Sequence, residues 1–466
     1  MLRDRYEPQE LLQLVPYMKL RLEPELQELD RLLDDDELFA QVTADFVRRY
    51  PQTATRGRYS TPVEVILRLL IVKRLYGWSS EETERLVSAS LILRQFCRGY
   101  WEAVPDDTTL IRWAQLIGPA TLQAVNARVV ALARTLKVTR GRKLRVDSTV
   151  VETNIHHPTD SGLLCDGVRV LSRLWRRAKE VVGQAIKKGK GGCRTRTRSA
   201  RRVAQQLHRL ARRKGDEAAA QVRQAYERLL TIVRQSQRQA QRVCTAWRTQ
   251  SGERAQRLGQ RFAQVLPRVA QVVSQTVRRV LQGENVPAPE KLVSLFAPHP
   301  QILQRHKPGK GVEFGCKLWL EEVEGGLVSR SVLMPGAGTD PAQVAGSLAG
   351  HQARFGRMPW WVAGDRGVSS ADKEAVAKKE GVNRIVLPQK GKLSAQRRGY
   401  ERQRWFRRGF RFRAGSEGRI SVLRRRFGLG RCLEHGEAGL GRWVGWGIVT
   451  ANLAKIAQAQ AARQAR

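Results

Sequence analysis

The chain has 466 residues, too many for one ordinary core, and its hydrophobic fraction of 41% is enough to fill two or three. With 84 Lys+Arg against 43 Asp+Glu, its formal net charge of +41 lies outside the range of ordinary soluble enzymes and points to a polyanion as partner. There is no run of about 18 apolar residues and no signal pattern at Met1, so the expectation is a cytoplasmic, nucleoid-associated protein without membrane contact.

Residues 1–130 read as helical. A helix start is expected at Thr61-Pro62-Val63-Glu64, with Thr61 capping, Pro62 first and Glu64 closing the box, followed by an apolar face through Leu67, Leu70, Ile71 and Leu75. Ser79 with Glu82 forms the next cap, and Pro105-Asp106-Asp107-Thr108-Thr109 opens a third helix carrying Leu110, Ile111 and Trp113. Three short helices with tight turns suit a helix-turn-helix or a plain helical bundle, and the pattern does not separate them.

From Lys143 the texture changes, and Leu144, Val146, Val150 and Val151 flank Asp147 in a short strand-like run. Residues 168–285 carry almost no strand signal. Their apolar residues recur at helical spacing, as in Val222, Ala225, Leu229 and Val233, and again in Leu258, Phe262, Val265, Val269 and Val272. Residues 171–280 hold 28 Lys+Arg and 5 Asp+Glu, a net +23. This basic helical insertion (168–300) suits contact with duplex phosphates, the alternative being a solvated coiled coil. The Gly189-Lys190-Gly191-Gly192 turn lacks phosphate-loop spacing.

Strands resume near Gly311. Val312 to Leu320 alternates, Gly325-Gly326 turns, and Leu327 to Leu333 returns as the hairpin partner. Asp340-Pro341-Ala342-Gln343 caps a helix to about Phe355, Trp360 to Gly364 is a strand ending at Asp365, Ser369 to Lys379 a helix, and Ile385-Val386-Leu387 a strand. The result is an α/β chain: a helical N-terminal domain (1–130), a mixed-sheet core in two parts (140–167 and 301–455) around the insertion, and a basic tail (456–466). The cysteines, Cys97, Cys165, Cys193, Cys244, Cys316 and Cys432, have no zinc spacing and read as reduced and structural.

A carboxylate inside an apolar strand is costly unless paired or bound to a cation, which singles out Asp147. Asp365 ends another apolar strand and is followed by Arg366-Gly367. Residues 391–431 hold 14 Lys+Arg and only two acids, Glu401 and Glu417. Glu417 either pairs with arginines or binds metal.

The stretch Phe410, two residues, Arg413, three residues, Glu417, six residues, Arg424 resembles the Tyr-(2)-Arg-(3)-Glu-(6)-Lys signature of DDE-type insertion-sequence transposases. Val146-Asp147-Ser148-Thr149 and Ala363-Gly364-Asp365-Arg366-Gly367 resemble their first and second Asp motifs. Leu91-Ile92-Leu93-Arg94-Gln95-Phe96 with Pro105 to Leu110 is similar to the domain that precedes the core in these proteins. The tail Trp443-Val444-Gly445-Trp446-Gly447 through Asn452-Leu453 is similar to the ISNCY group. Phe410 replaces the Tyr and loses a hydroxyl; Arg424 replaces the Lys and keeps a phosphate-binding charge.

The resemblance implies a ribonuclease H-like fold and metal-dependent cleavage and joining of DNA. Asp147, Asp365 and Glu417 would hold two Mg²⁺ or Mn²⁺ ions, with Asp147 bridging them. It also implies transposon-end and target duplexes as substrates, a homodimer on DNA, and DNA contacts through Arg366, Arg404, Arg407, Arg413, Arg424 and Arg425. Arg404, Trp405, Phe406 and Arg407 suit stacking on a distorted base, or core packing under an arginine-rich face. Glu434 and Glu437 beside His435 are rival third acids outside the spacing, and His156-His157 reads as a polar loop pair. Competing functions are a nuclease that cuts without joining, a non-catalytic DNA-binding protein and a basic RNA-binding protein.

Overall fold

The computed structural model describes residues 1–6, 22–48, 52, 55–182, 194–247, 252–307, 310–334, 342–368, 371–389 and 391–466. Gly189 to Gly192, Cys193, Asp340, Pro341 and Ser369 lie outside them. The chain forms two compact units, Met1–Asn154 with Cys316–Arg466, and Ile155–Gly315.

The first unit begins with helices α1 (Pro24–Leu33), α2 (Asp36–Val47), α3 (Val63–Tyr76), α4 (Ser80–Ala89), α5 (Leu91–Phe96), α6 (Asp107–Leu116) and α7 (Pro119–Thr135). The α4 cap forms as expected, with Glu82 N–H donating to the Ser79 hydroxyl and Ser79 N–H to the Glu82 carboxylate. Asp106 caps α6 by accepting from the Thr109 N–H at 2.8 Å. The α3 start differs from expectation: Pro62 is the cap residue and no side chain bonds the helix end. Glu64 turns instead to Arg68, which is fully buried and also bonds Asp30, Asp34 and the Phe96 carbonyl. A buried guanidinium demands its carboxylates more strongly than a helix end demands a cap.

Strand β1 (Lys143–Thr153) follows, and the chain enters the second unit just beyond it. That unit carries α8 (Asp160–Val182), α9 (Thr197–Leu210), α10 (Asp216–Trp247) and α11 (Glu253–Thr276), so the helical insertion starts earlier than residue 168. The helices bury Leu164, Val168, Leu229, Val233, Phe262 and Val269 in a core of their own, which is what the helical apolar spacing encodes. Strand β2 (Gln301–Lys307) pairs antiparallel with the first residues of β3 (Lys310–Val323), from Gln301 opposite Gly315 to Gln304 opposite Val312. The sequence reading missed β2.

Back in the first unit come β4 (Leu327–Met334), α12 (Gln343–Phe355), β5 (Trp361–Ala363), α13 (Ala371–Lys379), β6 (Arg384–Val386), α14 (Ala395–Arg402), α15 (Arg404–Arg426), β7 (Arg431–Cys432) and α16 (Gly436–Gln464). Its sheet runs β4-β3-β1-β5-β6, with β7 also on β1. β3 and β4 are antiparallel, while β1, β5 and β6 are mutually parallel, with Lys143 opposite Trp361 and Trp361 opposite Arg384. The fold is therefore mixed α/β.

The N-terminal helices are not a separate body. Phe46, Ile66 and Val129 share one core with Val146 of β1, Trp319 of β3 and Trp446 of α16. The residues expected to be a basic tail continue α16, which packs on α1, α3 and α7. Among the described residues no single helix is long and apolar enough to cross a membrane. Burial pushes the Cys97 and Cys432 thiols up to about 12 and Cys316 up to about 11, so these groups stay protonated.

Candidate active site

β1 presents Arg145 and Asp147 on one face, because side chains two apart in a strand point the same way. β5 ends at Ala363, and Asp365 follows at its C-terminal end, next to β1. Helix α15 lies close against these strands. A Cβ on Gly409 would sit 2.5 Å from the Val386 side chain of β6, and one on Gly415 would collide with the Arg145 guanidinium. Arg145 cannot step aside easily, since Glu322 of β3 takes two of its N–H groups and the Phe412 carbonyl a third. Glycine at both positions permits the approach.

That approach brings the predicted acids together. The Arg413 Nη2 atom is 3.3 Å from Asp147 Oδ2 and 3.9 Å from Asp365 Oδ2, and its Nη1 atom is 3.0 Å from Glu417 Oε1. Ser416, buried on α15, donates its hydroxyl to Asp147 Oδ2 at 2.7 Å, and the Ser148 N–H donates to Asp147 Oδ1 at 2.8 Å. The side-chain exposures rise from 13% at Asp147 to 37% at Asp365 and 72% at Glu417, so the cluster opens to solvent on the Glu417 side.

Burial pushes the Asp147 carboxyl up; the Ser416 hydroxyl and Arg413 pull it down, and the Asp365 charge pushes it further up. Beneath it, burial pushes Glu322 up against the pull of Arg145, and burial pushes Arg419 down. Arg145, Glu322, Ser416 and Arg419 line a small cavity with Asp147.

The donor chemistry of the acids suits a hard cation. Their spacing is that of a guanidinium: among the described residues no three His, Cys, Asp or Glu side chains are close enough together to hold an ion.

Other predicted residues fall in varied places. Arg366, Arg404, Arg407 and Arg425 are exposed. Arg424 is half-buried, 3.5 Å from Glu152, with its Nη1 donating to the Thr149 hydroxyl. Arg413 faces the carboxylates. Phe410 is 42% exposed on α15, whereas Phe406 is a core side chain against Ala363 and Val386, with Trp405 and Tyr400 edge-on around it. Of the rival acids, Glu434 pairs with Arg442 at 3.0 Å and Glu437 is exposed in the first turn of α16. In the second unit His157 packs edge-on against Phe314.

Sequence reasoning missed Ser416, Arg145 and Glu322. Arg145 was within reach through its two-residue offset from Asp147; the Ser416 contact needed the helix placed on the sheet.

The fold is thus mixed α/β with an acidic cluster at the C-terminal end of β5. Residues 10–116, a stretch running through α1 to α6, match the model of a transposase domain (DUF772), which supports a transposase family. No curated protein and no solved structure matches the chain.

Proposed function

We propose that the chain is a DDE-type transposase that cuts and joins DNA at Asp147, Asp365 and Glu417. The observation that carries this reading is the meeting of acids from β1, the end of β5 and α15 on one guanidinium. Carboxylate oxygens are the ligands that Mg²⁺ and Mn²⁺ prefer, so these residues, drawn in from their spacing around Arg413, would hold such ions. Bound there, such ions supply Lewis acidity for in-line displacement at phosphorus. A mixed sheet ordered β4-β3-β1-β5-β6, with an antiparallel hairpin on one side and parallel strands on the other, supports a ribonuclease H-like core. The match of residues 10–116 supports the transposase assignment.

The chain's own side chains prepare the reaction. Ser416 and the Ser148 N–H fix the rotamer of Asp147, and the Arg145–Glu322 pair packs beneath it. Arg404, Arg407, Arg411 and Arg425 are exposed and, at about 100° per residue, fall within about 60° of one another on α15, roughly 80 to 140° around the axis from Glu417. They would hold phosphates along their own side of the helix, while the arginines of the second unit add sequence-independent affinity for the duplex.

The test uses plasmid DNA carrying the sequences that flank the coding region, with Mn²⁺, and separately pre-cut ends with a target duplex. The wild-type chain is expected to nick the first and join the second, and Asp147→Asn and Asp365→Asn to do neither. Nicking without joining would assign a nuclease of the same fold. Undiminished nicking by Asp147→Asn would overturn the site.

A further inference from the structure

Two arginines of the first unit have every contact to structural partners. Arg68 is held by Glu64, Asp30, Asp34 and a backbone carbonyl, and Arg145 by Glu322 and the Phe412 carbonyl. Arg413 differs. Its Nη atoms face Asp147, Asp365 and Glu417, its Nε–H is buried without a partner, and its side chain is 14% exposed. One positive charge stands among three carboxylates, so the cluster retains excess negative charge and attracts further cations. With the guanidinium between them, no three acids among the described residues are close enough together to hold an ion.

We propose that Arg413 is an internal competitor of the divalent ion: its guanidinium holds the acids apart and partly neutralised, and must leave them for the ion to bind. The proposal rests on the metal-site reading given above. A guanidinium held by these acids, with Nε unpartnered, is released when a divalent ion takes their oxygens. The group it can then reach is an anion entering at the open Glu417 side, and a DNA phosphate is such an anion. Phosphate uptake by Arg413 and ion uptake by the acids therefore favour one another, and by linkage each strengthens the other by the same factor. The arrangement keeps the site poorly loaded until DNA is present.

The experiment measures Mn²⁺ affinity of the full chain by calorimetry and by the electron paramagnetic resonance of free Mn²⁺, without and with a duplex. Arg413→Gln is expected to bind Mn²⁺ about tenfold tighter than wild type without DNA, and to lose most of the tightening that the duplex gives wild type. Arg413→Lys keeps the charge but not the fork and is expected to fall between them, which gives a second variant should the glutamine chain melt early. Equal or weaker Mn²⁺ binding by both variants, with Asp147→Asn abolishing it, overturns the competition and leaves the metal site standing. If wild type, Arg413→Gln and Asp147→Asn all bind Mn²⁺ alike, the metal site itself is wrong and the competition falls with it.

Discussion

The Ser416 hydroxyl of α15 donates to Asp147 Oδ2 of β1 across 2.7 Å, joining two elements 269 positions apart in the chain. Ser416 is buried, so the bond is shielded from water and fixes the carboxylate rather than merely accompanying it. Ser416→Ala is expected to cost about 1 kcal/mol of stability and to slow Mn²⁺-dependent nicking roughly tenfold, the scale seen when a partner that orients a metal ligand is removed. Denaturant unfolding and nicking rates read the two effects. A rate equal to wild type would mean that Asp147 needs no such support.

Helix α10 of the second unit is 32 residues long, about 48 Å at 1.5 Å per residue. Its Arg228, Arg234, Arg238 and Arg242 are exposed and fall within about 120° of one another around the axis. If they lie along a duplex, changing all four to Gln in the full chain reduces the slope of log affinity against log salt by up to about 3.6, at about 0.9 per phosphate contact. An unchanged slope moves the contact off this helix.

His351 of α12 is buried; burial lowers its pKa to about 4, against the pull of its hydrogen bond to the Gly141 carbonyl and the nearby Glu324 charge. Arg354 and Arg357 disfavour the charged ring as well, and Phe355 stacks on it. The folded value lies below that of an unfolded histidine, about 6.5. The unfolded chain thus binds the proton first as pH falls. His351 destabilises the fold progressively from about pH 6.5 down to 4, by at most about 1.4 kcal/mol per pH unit. Stability of His351→Gln, measured by denaturant unfolding across that range, is expected to fall less steeply than wild type, and parallel curves would refute the assignment.

What could be read from the sequence was whatever is written locally. The Ser79–Glu82 box, the helix opened by Pro105 to Thr109, the β3–β4 hairpin and the helical spacing of the second unit rest on residues a few positions apart, and they appear as expected. The meeting of Asp147, Asp365 and Glu417 was expected only through resemblance, since the first two are strand acids with no local reason to share a site. Long-range demands overrode local signals elsewhere. Glu64 left the expected cap for Arg68, and the last residues joined α16 because that helix buries Trp446, Val449 and Leu453 in the core of the N-terminal helices. β2 was missed because Gln301-Ile302-Leu303-Gln304-Arg305 lacks the alternation of a half-buried strand, and only pairing with β3 makes it one.

The sharpest choice lies between Glu417 and Glu434 as third acid. Glu417 shares Arg413 with Asp147 and Asp365 and is 72% exposed at the open side of the cluster. Glu434 is held by Arg442 at 3.0 Å near the start of α16, where its charge also supports the half-buried Arg74. Glu417→Gln removes a negative charge while keeping the shape of the side chain. It is expected to lower Mn²⁺-dependent nicking at least about a hundredfold, a loss of roughly 2.7 kcal/mol in the barrier. Affinity for the duplex should hold or rise slightly, because the arginines of α15 remain and one repulsive charge is gone. Glu434→Gln should keep nicking and lose stability instead, since it weakens the Arg442 pair. Nicking, duplex affinity and unfolding measured on both variants separate the two. A dead Glu434→Gln beside an active Glu417→Gln would assign the third carboxylate to α16, and the spacing from Phe410 through Arg424 would then carry no functional meaning.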